Sequence, residues 1–191
     1  MIFGIGVSRT GGRSLSYALE TLGYRTRHWP FLFLNKNLKP KYALFEKYDA
    51  IIDMPATLNY QELAKRYPEA KFILTLRDKK PWLNSMNRLH NFQRWFVAFL
   101  PHVLSMDKAF WGQVRYDEKK LSQKYDAHVK EVRAFFKGTN RLLELNITKG
   151  EGYEKLCPFL NLPVLQENFP HKNKGIAKKM IKKVQKIITR D

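Results

Sequence analysis

Nine residues near the start of the chain, Gly6-Val7-Ser8-Arg9-Thr10-Gly11-Gly12-Arg13-Ser14, leave few folds open. They end a short apolar run that reads as a buried strand over 2–7. They open a stripe of Leu15, Ala18, Leu19 and Leu22 at helical spacing, which Gly23 ends. Strand, glycine turn and helix together make a place for an anion. Glycine lets the backbone come close, and the unpaired N–H groups and dipole of a helix start supply partial positive charge. Arg9 and Arg13 add full charges, and Thr10 and Ser14 add hydroxyls, so a phosphate role is expected. The turn is not a Walker A loop. Gly12-Arg13-Ser14 matches the end of G-x-x-x-x-G-K-[ST] with arginine in place of lysine, but Val7 stands where the first glycine belongs.

The rest of the chain alternates. Apolar runs at 24–29, 50–52, 71–76 and 141–146 read as strands. Helices are expected over 58–67, from Pro81 onward, through most of 90–136, over 154–160 and over 175–190. This order predicts an α/β fold, a three-layer sandwich with a central parallel sheet whose sites lie at the carboxyl ends of its strands. At 191 residues, 44% hydrophobic and 27% charged, the chain is expected to form one domain, 1–191.

A second motif follows the 71–76 strand. Arg77 stands at its end and Ser85 eight residues later, in Arg77-Asp78-Lys79-Lys80-Pro81-Trp82-Leu83-Asn84-Ser85. An arginine fork and a serine hydroxyl one to two turns into the next helix can grip one phosphate. Alone, the pair also reads as a solvated helix start capped by Asp78.

With both motifs in order, the chain resembles the sulfotransferase family, whose fold is P-loop-like. Arg9-Thr10-Gly11-Gly12-Arg13-Ser14-Leu15 is similar to its 5′-phosphosulfate loop, with Ser8 at the entry. Arg77 and Ser85 are similar to its 3′-phosphate site. The segments 146–160 and Phe169-Pro170-His171 also resemble the smaller members, and 90–136 matches least. The resemblance implies transfer of a sulfuryl group from PAPS (3′-phosphoadenosine-5′-phosphosulfate) to an acceptor hydroxyl or amine on a small molecule or glycan, leaving PAP and using no metal. It places Arg9 at the family's catalytic lysine position, to meet the leaving oxygen by charge and hydrogen bonding, with Arg13 second. Asp53, in Ile51-Ile52-Asp53-Met54-Pro55, falls where relatives carry the catalytic base. His28 is the other candidate, and a turn-capping role for Asp53 before Pro55 is the competing reading.

Two other function classes stay open. A P-loop kinase or NTPase would use Asp53 as its metal-binding carboxylate and need magnesium. A non-catalytic polyanion binder would rest on the net charge of +18. No RNA-binding fingerprint is present, so no specific nucleic-acid partner is expected. The five histidines and lone Cys157 form no metal pattern, and one cysteine excludes an internal disulfide. No stretch approaches the roughly 20 apolar residues of a membrane span, and a cytoplasmic protein is expected. Phe92, Trp95, Phe96 and Phe99 recur at helical spacing, as core or as an acceptor-facing lid. In the basic tail, 172–191, Ile176, Met180, Ile181, Val184, Ile187 and Ile188 form an apolar stripe. Packing on the body is its first reading and membrane-surface docking its second. Lys172 and Lys174 are expected near the donor phosphates.

Overall fold

The structure, a computed structural model, describes residues 1–96 and 101–170. In chain order its elements are β1 (Ile2–Gly4), α1 (Gly12–Thr21), β2 (Thr26–His28), α2 (Tyr42–Phe45), β3 (Ala50–Ile52), α3 (Met54–Arg66), β4 (Lys71–Thr75), α4 (Lys79–Phe96), α5 (Pro101–Trp111), α6 (Glu118–Phe135), β5 (Leu142–Leu145) and α7 (Tyr153–Phe159). The five strands form one sheet in the order β2-β3-β1-β4-β5, and every pairing is parallel. Parallel strands buried on both faces send alternate side chains to opposite layers. Phe3, Ile51, Phe72 and Leu74 pack against α3, α4, α5 and α6. Ile2, Ala50, Ile52, Ile73 and Leu145 pack against α1 and α7. The expected α/β sandwich is what forms.

The winding reverses at β1, with β2 and β3 on one side and β4 and β5 on the other. Loops leaving the carboxyl ends of β1, β3 and β4 therefore converge, as switch points in such sheets do.

The first strand is shorter than its apolar run, for a reason that serves the site. Past Gly4 the carbonyls leave the ladder and take side-chain partners. Ile5 O meets His128 Nε2 at 2.8 Å, Gly6 O accepts from the Thr57 hydroxyl at 3.0 Å, and Val7 O accepts from the Thr10 hydroxyl at 2.6 Å. Every carbonyl is satisfied, yet the chain is free to turn. Gly6 has no alternative here, since a Cβ would lie 2.0 Å from Thr75 Oγ1. The second helix of the sequence reading also moves. It begins at Met54 rather than 58, because the Asp53 carboxylate accepts from Met54 N at 2.8 Å and a proline follows in the first turn.

Among the described residues no helix is long and apolar enough to cross a membrane. Phe99 and the tail, including Lys172, Lys174 and the 175–190 stripe, lie outside the described residues.

Candidate functional site

The loop after β1 holds an improbable backbone. Gly11, at φ 122°, caps α1, and Arg9 sits at φ 74° although it carries a side chain. At the ends of β2 and β3, Trp29 (φ 51°) and Asp53 (φ 78°, ψ −160°) are also left-handed. Asp53 occupies a region that is almost glycine-only. Among the described residues, three of the five non-glycine residues with positive φ thus stand beyond the ends of three adjacent strands. Such conformations cost on the order of 1–3 kcal/mol each and persist where the surroundings over-determine them.

Those surroundings are specific. Trp82, fully buried on α4, donates from Nε1 to Ser8 O at 3.0 Å, and its ring packs on Tyr125 at 4.6 Å. The Tyr125 hydroxyl donates to Arg77 O at 2.8 Å and accepts from Arg77 N at 3.1 Å. One aromatic pair therefore fixes both anion-binding segments. The Thr10 hydroxyl also faces inward, 2.7 Å from Thr75 Oγ1. Its proton goes to Val7 O and holds the loop, whereas the sequence predicts a hydroxyl donated to the phosphate. Leu15 is likewise core, while Ser14 is buried in the first turn of α1.

The two sequence motifs meet. Arg9 Nε donates to Ser85 Oγ at 2.9 Å, and Arg77 Nη1 donates to Arg9 O at 3.1 Å. Arg77 Nε is buried without a hydrogen-bond partner, a state that costs free energy until an acceptor arrives. Arg9 is lowered in pKa first by burial and then by the charges of Arg77, Arg88 and Arg13, with Asp53 opposing. Arg77 is lowered by burial and then by Arg88. A guanidinium keeps its proton under such pressure, so the consequence is an intense positive potential. Among the described residues no carboxylate forms an ion pair with Arg9, Arg13, Arg77 or Arg88. A groove of about 580 Å³ opens beside Arg77, with Leu76, Tyr125, Val129 and Asn146 among its walls.

The other side of the loop is acidic. Asp53 Oδ1 accepts from the Ser8 hydroxyl at 3.1 Å, and Oδ2 lies 3.3 Å from His28 Nε2. A Cβ on Gly12 would come within 3.6 Å of both His28 Nε2 and Asp53 Oδ2, so the loop borders this pair directly. The capping and catalytic readings of Asp53 are thus compatible, since one oxygen caps α3 while the other faces the imidazole. Asp107 on α5 joins them electrostatically. Its carboxyl is pushed up to about 6, by burial and then by the Asp53 charge. Among the described residues no group of three His, Cys, Asp or Glu side chains could hold a metal.

Sequence reasoning missed Trp82, Arg88, Asp107 and Tyr125. The first two were within reach, because Trp82 and Arg88 lie three residues either side of Ser85 and share its helix face. Asp107 and Tyr125 come from distant helices and carry no local signal.

Comparison with known proteins gives three matching results. A sulfotransferase domain model matches residues 1–177. The chain is 29% identical over 206 residues to Ava biosynthesis cluster protein M of Aspergillus versicolor, covering 87% of this chain and 78% of that protein. The crystal structure of a sulfotransferase from Alicyclobacillus acidocaldarius superposes with a TM-score of 0.55 at 16% identity, over 97% of this chain and 90% of the other.

Proposed function

The chain belongs to the sulfotransferase family, and from that premise we propose that it moves a sulfuryl group from PAPS to an acceptor hydroxyl or amine. The observation carrying this reading is the contact between the two anion-binding motifs, Arg9 Nε to Ser85 Oγ at 2.9 Å, beside the orphaned Arg77 Nε. One loop and one helix face, joined by that contact, suit a ligand with phosphate groups at both ends. A buried guanidinium nitrogen lacking an acceptor fits the 3′-phosphate, and the groove beside Arg77 has room for a nucleoside.

The donor would supply the sulfuryl group. Sulfur forms a bond to the acceptor oxygen or nitrogen as its bond to the bridging phosphate oxygen breaks. This chain's residues then have three tasks. The N–H groups at the start of α1 and the Arg13 charge hold the 5′ end. Arg9 meets the charge that develops on the departing oxygen, acting as a fixed cation because arginine does not donate its proton. The acceptor proton passes to the His28–Asp53 pair. With Nε2 3.3 Å from Asp53 Oδ2, the imidazole takes up the proton and Asp53 stabilises the imidazolium that results.

The test is calorimetry without magnesium. Adenosine 3′,5′-bisphosphate is expected to bind at least about tenfold more tightly than AMP, the worth of one added charge-assisted contact. Equal affinity for the two would overturn the reading, and a strict magnesium requirement would favour a P-loop kinase.

A further inference from the structure

Arg88 belongs to neither sequence motif. On α4 it lies three residues after Ser85, so the two side chains share one helix face about a turn apart. Ser85 is the residue that receives Arg9 Nε. The Arg88 charge reaches both other guanidiniums, since after burial it is the influence acting on Arg77, and it also acts on Arg9 behind Arg77. Unlike the loop arginines it is exposed, and among the described residues no carboxylate forms an ion pair with it.

We propose that Arg88 is the outer wall of the Arg77–Ser85 subsite, closing on a phosphate monoester dianion and making the site select a bisphosphorylated nucleotide over a monophosphate. This rests on the donor reading above. Three cations that act on one another, one of them bonded to the buried Ser85 hydroxyl, repel and need an anion to offset them. A terminal phosphate presents three oxygens, more than Arg77 Nε and Ser85 Oγ can occupy, and leaves one edge for a third ligand. An arginine on a solvent-facing helix surface can swing onto that edge with its two-pronged fork, where a lysine offers a point charge. Arg77 and Ser85 would supply the floor of the subsite and Arg88 its lid, with no carboxylate competing for the guanidinium.

Calorimetry separates this from a diffuse field effect. Arg88→Ala is expected to weaken adenosine 3′,5′-bisphosphate by about tenfold or more while leaving AMP within about twofold. Arg88→Lys should recover part of the loss. Lys137→Ala, which removes an exposed cation just past the C-terminal end of α6, should change neither ligand. Circular dichroism checks that each variant is folded. The assignment fails if Arg88→Ala leaves the bisphosphate unaffected, or weakens it and AMP by the same factor. If the wild-type protein itself does not prefer the bisphosphate, the donor reading falls first and takes this one with it.

Discussion

The two edges of the sheet use arginine in opposite ways. At the edge where strands begin, Arg25 grips Asp49 through Nε and Nη2, both at 3.1 Å. Arg141, just before β5, donates to the carbonyls of Ala64, Tyr67 and Ala70 at 3.2, 2.7 and 3.0 Å. Arg141 closes the end of α3 and the turn into β4, and Arg25 ties the start of β2 to that of β3. At the edge where strands end, Arg9, Arg77 and Arg88 act on one another, and among the described residues no carboxylate forms an ion pair with any of them. The backbone there is strained at Arg9, Trp29 and Asp53. The first edge spends its cations on the fold, and the second holds them against one another until a ligand arrives. Anything that binds only the folded chain at that edge stabilises it by mass action, so ligand binding should relieve repulsion as well as add contacts.

The sharpest break between the edges is expected at Arg9. Arg9→Gly should reduce kcat for sulfuryl transfer by about 10²–10³, the usual consequence of losing a charge aimed at a transition-state oxygen. The same change should leave stability unaltered or raise it by about 1 kcal/mol, because glycine accepts a positive φ and one of the mutually repelling cations is gone. Activity comes from a transfer assay and stability from chemical denaturation. A large loss of stability would mean that Arg9 holds the fold as Arg141 does.

Arg141→Ala should show the reverse pattern. Three carbonyls lose a charged donor, which costs about 2–3 kcal/mol when the carbonyls are only partly rehydrated, and kcat well below the melting temperature should be unchanged. If kcat falls with stability, the two edges are coupled.

This division also marks what was legible in the sequence. The loop from Ser8 to Ser14 and the Arg77–Ser85 spacing were readable because each motif is local, a turn and a helix face that neighbouring residues define. The parallel sheet followed from alternation, and the strand ends were misjudged where side chains replace ladder partners, as His128 and Thr57 do for Ile5 and Gly6. Asp53 and His28 were named as rivals for one role. Their pairing depends on β2 lying beside β3, which no local pattern reports. Asp107 was invisible for a stronger reason. A carboxylate's meaning here depends on burial and on a neighbour 54 positions away.

Asp107 also supplies the smallest and most specific test of the comparison. Its position on α5 is flanked by Val103, Met106, Phe110 and Trp111, all buried, so the carboxyl lies on the packed side of the helix. Burial, and then the Asp53 charge, push it up to about 6 from an ordinary value of 3.8. A carboxyl whose folded pKa is raised binds its proton more tightly in the folded chain than in the unfolded one. Below about pH 3 both states are protonated and the group costs nothing. The penalty grows as pH rises through the interval and is complete above about 6.5. Two units would correspond to about 3 kcal/mol, and solvent screening of a partly exposed group reduces this to about 1–2 kcal/mol. Asp107→Asn should therefore stabilise the protein by that amount at pH 7.5 and by only a small fraction of it at pH 4, in paired denaturation curves. A gain equal at both pH values would mean that the benefit is packing, and that this carboxyl is not held at a cost on the ligand-facing edge.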